Sequence, residues 1–236
     1  IHLMSYGKDL GDGTNLLDAI RQGQDIPGIQ RIRLGSLEPQ LLSDAFVQAL
    51  AENPKICRQF HLSLQSGSAT VLRRMARRYT PDEYAQWVAR LRAAMPGCAI
   101  TTDVIVGFPG ETEAEFQQTL DFVEQVKLCR IHVFPYSPRS GTPAARMPGQ
   151  LSKAVKSQRA HILAQLADRL EAEYLAQQVG TCQAVLFEEE KDGGVEGYTD
   201  TYVRVWVPGG QQALGQLVQV QIQQAETGRL TGRLIE

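Results

Sequence analysis

Up to about residue 145, short apolar runs alternate with stretches whose hydrophobic residues recur every three or four positions, the pattern of strands and amphipathic helices in turn. The clearest unit is Ala99–Phe116. Ile100, Val104, Ile105 and Val106 make a largely β-branched run apolar enough to be buried on both faces. Gly107-Phe108-Pro109-Gly110 breaks that run. Thr112 with Glu115 three places on is a capping box, and Phe116, Leu120 and Val123 form the apolar stripe of the helix it opens. A strand, a glycine-rich turn and a helix N-terminus form either a seat for a small polar ligand or a tight structural turn, and the pattern leaves both open. Asp103 is the one acid on the strand before the turn.

The unit repeats along the chain. Ile1–Met4 reads as the end of a strand closed by Ser5-Tyr6-Gly7, and Leu16, Leu17 and Ile20 mark a helix after Thr14. Gln30–Leu34 is a second predicted strand, ending in Gly35–Pro39, and Leu42, Phe46, Ala49 and Leu50 face a second helix inward. Phe60–Leu64 is a third strand, ending in Gln65-Ser66-Gly67-Ser68. Thr80, Pro81 and Glu83 supply an N-cap, a proline at the first helical position and a glutamate at the third. Arg130–Phe134 is the last strand of the series. Strictly repeated strand–helix units predict an α/β fold on a parallel sheet with helical crossovers. Ligands of such sheets bind at the strands' C-terminal ends, where Tyr6, Glu38, Gln65, Ser66, Gly107 and Tyr136 collect. Five strands are too few for a closed eight-stranded barrel, so an open, partial barrel is expected.

Gln150–Gln178 reads as one long connecting helix, with Val155, Ile162, Leu166, Leu170 and Tyr174 at helical spacing. After Gly180 the period changes to two. Cys182–Phe187, Val195–Tyr198, Tyr202–Val207, Leu217–Gln223 and Arg229–Ile235 are predicted as five short antiparallel strands of a small barrel of oligonucleotide-binding type. The expected division is therefore a partial barrel over 1–149, a connector over 150–179 and a β-barrel over 180–236. Charge complicates the last part, which holds four basic residues against eight acidic ones. A nucleic-acid module ordinarily carries a basic footprint. Tyr198, Tyr202 and Trp206 are candidates to stack on bases or to fill the barrel core. If RNA contact is this part's task, Trp206 or Tyr202 should lie on an exposed face near Arg204.

Composition adds bounds. With 43% hydrophobic and 21% charged residues and a net charge of −2, the 236 residues describe a globular chain rather than a disordered one. No apolar run approaches the ~20 residues of a membrane span, and no targeting pattern is visible, so a cytoplasmic location without membrane contact is expected. The chain opens on Ile1 and not on Met, which reads as the C-terminal piece of something longer. Cys57, Cys98, Cys129 and Cys182 are widely spaced and read as reduced, unrelated thiols, with no metal site among them.

Three constellations could carry chemistry. Arg73, Arg74, Arg77 and Arg78 follow the Gln65–Ser68 turn, as a solvated helix face or as partners for a carboxylate or phosphate. His61 and His132 lie inside strands and read as core or rim histidines. Glu38 and Asp103 could pair as acid and base if they converge, or bind amino and hydroxyl groups of a ligand.

Five segments in order, Arg31–Pro39, His61–Ser68, Arg77–Thr80, Asp103–Thr112 and Ser137–Ala145, resemble the radical S-adenosylmethionine methylthiotransferases. Within that family SLEP, HVFPYS and GTPAARMP look most like the branch that modifies threonylcarbamoyladenosine in transfer RNA. The resemblance implies an enzyme with two 4Fe–4S clusters, a partial barrel and a C-terminal TRAM domain, served by an electron donor and acting on tRNA. A deoxyadenosyl radical made from S-adenosylmethionine would activate carbon 2 of the adenine for insertion of sulfur and a methyl group. It places Gln65 and Ser66 beside the cofactor, Asp103 and Glu38 at its ribose and amino groups, and Arg78 at its carboxylate. No single catalytic side chain is assigned. The CxxxCxxC loop that holds the family's cofactor-binding cluster is not among these residues, so the 236 residues alone are expected to be inactive. Gly197–Tyr202 also departs from the family, whose members often carry Asn before the tyrosine. The alternatives are a sister branch, acting on isopentenyladenosine or on a ribosomal-protein aspartate, and a non-catalytic RNA-binding derivative. An ordinary α/β enzyme with a phosphate on the Gly107–Gly110 turn is a third.

Overall fold

The computed structural model describes residues 3–39 and 42–235. Four parallel strands, β1 (Ser36–Leu37), β2 (Gln59–Leu62), β3 (Ala99–Val106) and β4 (Arg130–Pro135), lie in chain order in one sheet. Helices α1 (Leu16–Asp25), α2 (Asp44–Ala51), α3 (Ala69–Arg74), α4 (Pro81–Ala94) and α5 (Glu113–Val126) alternate with them. The expected caps form. Thr80 with Glu83 and Thr112 with Glu115 are complete capping boxes, and Asn15 with Asp18 is a third that opens α1.

Two predicted strands are corrected. Leu3–Ser5 is a turn of 3-10 helix, from which Leu3 packs against the core, while Ile1 and His2 lie outside the described residues. Gln30–Leu34 makes only one bridge, Ile32 to Ile56, and the pairing strand begins later, at Ser36. The cause lies across the molecule. Arg31 donates from Nη1 to the Tyr198 carbonyl at 2.8 Å and from Nη2 to that of Ala184 at 2.6 Å, which draws this segment toward the C-terminal barrel.

The sheet has two unlike faces. Phe60, Leu62, Ile100, Val104 and Val106 pack against Tyr84, Leu91, Phe116 and Val123 of the covering helices in one core. On the opposite face His61, Asp103, Ile105, Arg130, His132 and Phe134 are half-buried or exposed. Alternation along each strand produces both faces from one sequence. The second face lines the hollow of a partial barrel.

Helix α6 (Lys153–Ala176) joins this sheet to the rest, with Leu163, Ala167 and Leu170 in the sheet's core and Leu175 in the next. Strands β5 (Cys182–Lys191), β6 (Gly194–Tyr198), β7 (Arg204–Pro208), β8 (Leu217–Glu226) and β9 (Arg229–Leu234) close into a barrel in the order β5-β6-β7-β9-β8. One pair departs from the antiparallel expectation: β7 and β9 run parallel, with Val205 opposite Leu230. Val185, Phe187, Val195, Val205, Val220 and Leu230 fill the interior. Among the described residues no helix is long and apolar enough to cross a membrane.

Candidate active site

Three of the five residues assigned by resemblance meet at the C-terminal edge of the sheet. Glu38, Gln65 and Arg78 line one cavity of about 370 Å³, together with Ser36, Ser63 and Arg77. Gln65 ends its strand in a left-handed conformation, φ 67°, and its backbone still bonds Asp103 and Ile105 of β3. A non-glycine residue held there stores strain, which the surrounding sheet over-determines. The Tyr79 hydroxyl donates to the Ser63 and Leu64 carbonyls, fixing the chain from which Arg77 and Arg78 project. Burial pushes that phenol's pKa up.

The structure places the other two elsewhere. Ser66 is fully buried, its hydroxyl against the Thr119 hydroxyl at 3.3 Å while it accepts from the Ser68 amide. It clamps the turn onto α5 and does not reach the cavity. Asp103 stands further back on the open face, paired with His61 Nε2 at 3.2 Å. Glu38 and Asp103 therefore do not share a cavity lining. The arginine run divides as well. Arg74 donates both Nη groups to Glu115, at 2.9 and 2.8 Å, and that bond holds the Glu115 carboxyl down at about 2. Only Arg77 and Arg78 of the run face the cavity.

The Gly107–Gly110 turn offers less than its pattern suggested. The Gly107 amide donates to Glu111 Oε2 at 2.6 Å, the Gly110 amide to the Gly149 carbonyl, and the Thr112 amide to Glu115. A Cβ on Gly107 would lie 2.6 Å from Lys156 Cγ, so α6 covers the turn. These donors are already used, and the turn is structural.

A second cavity, also of about 370 Å³, lies between the open sheet face and the C-terminal barrel. Arg33, His61, Arg130, His132, Tyr202 and Arg204 line it, with Glu171 as its acid. Ser36 borders both cavities, and Ser63 Oγ lies 3.4 Å from His61 Nε2, so the two adjoin along the lumen of the partial barrel.

Comparison with known proteins identifies this architecture. The profile of the Radical SAM superfamily matches residues 5–123, and that of the TRAM domain matches residues 176–235. The chain belongs to the radical SAM superfamily. It is 40% identical to threonylcarbamoyladenosine tRNA methylthiotransferase MtaB of Bacillus subtilis (strain 168), over 95% of this chain and 51% of that protein. It is 39% identical to the tRNA-2-methylthio-N(6)-dimethylallyladenosine synthase of Acetivibrio thermocellus, over 98% of this chain and 49% of that protein. The chain thus spans about half the length of the curated relatives it matches. Among solved structures, coproporphyrinogen III oxidase (HemN) of Escherichia coli shares the fold, with a TM-score of 0.51 and 17% identity over 89% of this chain and 50% of that one.

Radical SAM enzymes combine S-adenosylmethionine with a 4Fe–4S cluster. The first cavity suits the cofactor's amino-acid end, since Glu38 is complementary to an ammonium and Arg77 and Arg78 to a carboxylate. The thiols do not suit a cluster. Cys57, Cys98 and Cys129 are buried, Cys182 is exposed on the other barrel, and burial pushes Cys98 up to about 11 and Cys129 up to about 12. A cluster needs several converging thiolates. The only gathering of three metal-ligating side chains among the described residues contains no cysteine.

On the TRAM barrel, Glu196 is buried beneath Lys191, Arg204 and Arg229, at 3.1, 3.4 and 3.8 Å. This gathers three of the barrel's four basic residues on one face, where Glu189 and Glu226 also pair with Lys191 and Arg229. Trp206 and Tyr202 are outside the barrel core, and Tyr202 is 38% exposed. Their faces are nonetheless engaged. Tyr198 stacks on Tyr202 at 4.5 Å between centroids, and Arg33 lies 3.8 Å from the same ring, necessarily on its other side. Arg229 lies over Trp206 at 5.4 Å, and the indole N–H donates to the Lys191 carbonyl. Tyr202 serves as a rivet between the barrel and the Gln30–Leu34 segment, not as a free stacking platform.

Proposed function

We propose that the protein is a tRNA methylthiotransferase of the radical SAM superfamily and that it acts on N6-threonylcarbamoyladenosine. The observation that carries the choice of substrate is the charge of the second cavity. Arg33, Arg130 and Arg204 line it against the single acid Glu171, which already pairs with Arg130 at 3.9 Å. A threonylcarbamoyl group ends in a carboxylate that such a lining stabilises. Arg130 has Glu171 and Arg204 has Glu196 as counter-charge, so a dimethylallyl group, with no polar atom, would leave Arg33 facing the cavity without one.

In this reading Glu38, Gln65 and Arg78, joined by Arg77, hold the amino-acid end of S-adenosylmethionine at the sheet edge. The cofactor supplies the radical that an unactivated C–H bond requires, which no side chain provides. The chain's own residues orient the adenine across the lumen and keep its substituent beside Arg33 and Arg204. Asp103 faces this lumen from behind the cofactor cavity and serves the substrate side. Lys191 and Arg229 of the TRAM face meet tRNA phosphates. The clusters' ligands are not among the 236 residues, so turnover requires chain of the kind that the longer relatives possess, together with an electron donor.

Nucleoside mass spectrometry of tRNA from a strain lacking the gene tests the proposal. The methylthio form of threonylcarbamoyladenosine should disappear while that of isopentenyladenosine persists. Loss of the isopentenyl product instead would transfer the protein to that sister branch, and loss of neither would end the tRNA-modifying reading.

A further inference from the structure

We propose that His61, Asp103 and His132 form a mononuclear binding site for a divalent transition-metal ion of the zinc and ferrous class, distinct from any iron–sulfur cluster. The three residues come from the adjacent parallel strands β2, β3 and β4. In the register of the sheet His61 lies opposite Thr101 and Asp103 opposite His132, so all three project from the open face within two residues along the strands. One ligand atom from each lies within 4.8 Å of the other two. A metal at ~2.0–2.2 Å from nitrogen and oxygen ligands holds them roughly 3.3–3.6 Å apart, so the set must contract to bind it. The exposed His132 ring, whose centroid is 6.2 Å from that of His61, is the ligand that must turn inward to close the set.

The surroundings are those of a ligating histidine. His61 Nδ1 lies 3.0 Å from Thr101 Oγ1, which also accepts from Gln59 Nε2 at 3.1 Å. Both interactions fix the plane of the imidazole and aim Nε2 at the Asp103 carboxylate. Nε2 and Asp103 Oδ2 lie 3.2 Å apart, about the separation of two ligand atoms on one metal ion. His61 and Asp103 side chains are 16% and 30% exposed, shielded enough for firm ligation. The side toward the second cavity stays open, the arrangement of two imidazoles and one carboxylate with free positions. Neither the choice of tRNA substrate nor cluster assembly enters this inference, because the ligands are all side chains of these strands.

Cobalt(II) titration of the 236-residue chain, read by d–d absorption and followed by displacement with zinc, tests the site. We expect saturation at one cobalt per chain and displacement by one equivalent of zinc. His132→Ala, on an exposed ring, should leave the circular-dichroism melt unchanged and weaken binding about tenfold or more. Thr101→Val should weaken it by about tenfold through loss of ring orientation. Absence of saturable cobalt absorption would overturn the proposal, as would affinity unchanged in His132→Ala. A thiolate-to-cobalt charge-transfer band abolished by Cys182→Ser would also overturn it, by moving the metal to the barrel thiol.

Discussion

Replacing Arg159 by methionine should expose how the glycine turn at the sheet edge is held. Arg159 on α6 donates from Nη1 to Glu111 Oε2 at 2.7 Å and to the Glu111 carbonyl at 2.9 Å, and from Nη2 to Glu113 at 3.0 Å. The Glu111 side chain is 1% exposed and that of Arg159 7%. Methionine keeps most of the stem's volume and removes the charge, so Glu111 would be left buried with only the Gly107 amide. Breaking a buried pair from one side costs about 3–5 kcal/mol. For a chain of this size that lowers the melting temperature by about 6–20 °C at ~2–4 °C per kcal/mol. The pH dependence has a definite sign. Burial already raises the Glu111 pKa above its ordinary 4.5, against the opposing pull of Gly107 and Arg159. Without Arg159 it rises further. A carboxyl raised in the folded state contributes stability that is present below its unfolded pKa and lost as pH rises through the folded value. The penalty of Arg159→Met should therefore be full at pH 7.5 and shrink toward pH 4.5, and Glu111→Gln added to it should recover much of the loss. Thermal melts followed by circular dichroism across that range decide the matter. A penalty below about 1 kcal/mol, or one indifferent to pH, would refute the reasoning.

Other outcomes follow from the same contacts. Arg31→Ala removes two charged hydrogen bonds to the TRAM barrel and should cost about 3 kcal/mol in chemical denaturation, with Arg31→Lys recovering less than half because it lacks the fork. Gly197→Ala would set a Cβ 2.0 Å from the Leu186 carbonyl oxygen and should destabilise the barrel by about 3 kcal/mol, whereas Gly209→Ala, in open space at φ +64°, should cost about 1 kcal/mol. Melts of the two variants compare them directly. Anaerobic reconstitution of the 236 residues with iron and sulfide should yield no stoichiometric four-iron cluster by absorbance and iron analysis. Four irons per chain would show that the dispersed thiols rearrange.

The sequence by itself determined what depends on near neighbours along the chain. Capping boxes at Thr80 and Thr112 link residues three apart, and both form as read. The β-branched run at Ala99–Val106 gave β3, and the change of period after Gly180 gave the barrel strands to within a few residues. What failed locally failed because a distant partner intervened. Gln30–Leu34 has the composition of a strand, but Arg31 finds two carbonyl acceptors more than 150 residues away and takes the segment off the sheet. On α6 the buried line runs through Arg159, Leu163, Ala167 and Leu170 while Ile162 stays 36% exposed, because a buried glutamate selects the arginine-bearing face. The same holds at the site. Motif order brought Glu38, Gln65 and Arg78 to attention, and the segments after β1 and β2 and the α3–α4 connection carry them into one cavity. Ser66 and Gln65 are adjacent in sequence, yet the left-handed turn at Gln65 sends one side chain to the cavity and the other into α5. The grouping of His61, Asp103 and His132 had no trace in spacing, since residues 42 and 29 positions apart meet only once the register of three parallel strands is set. Local propensity acts over a few residues, whereas burial of charge and alignment of strands are settled by the whole fold.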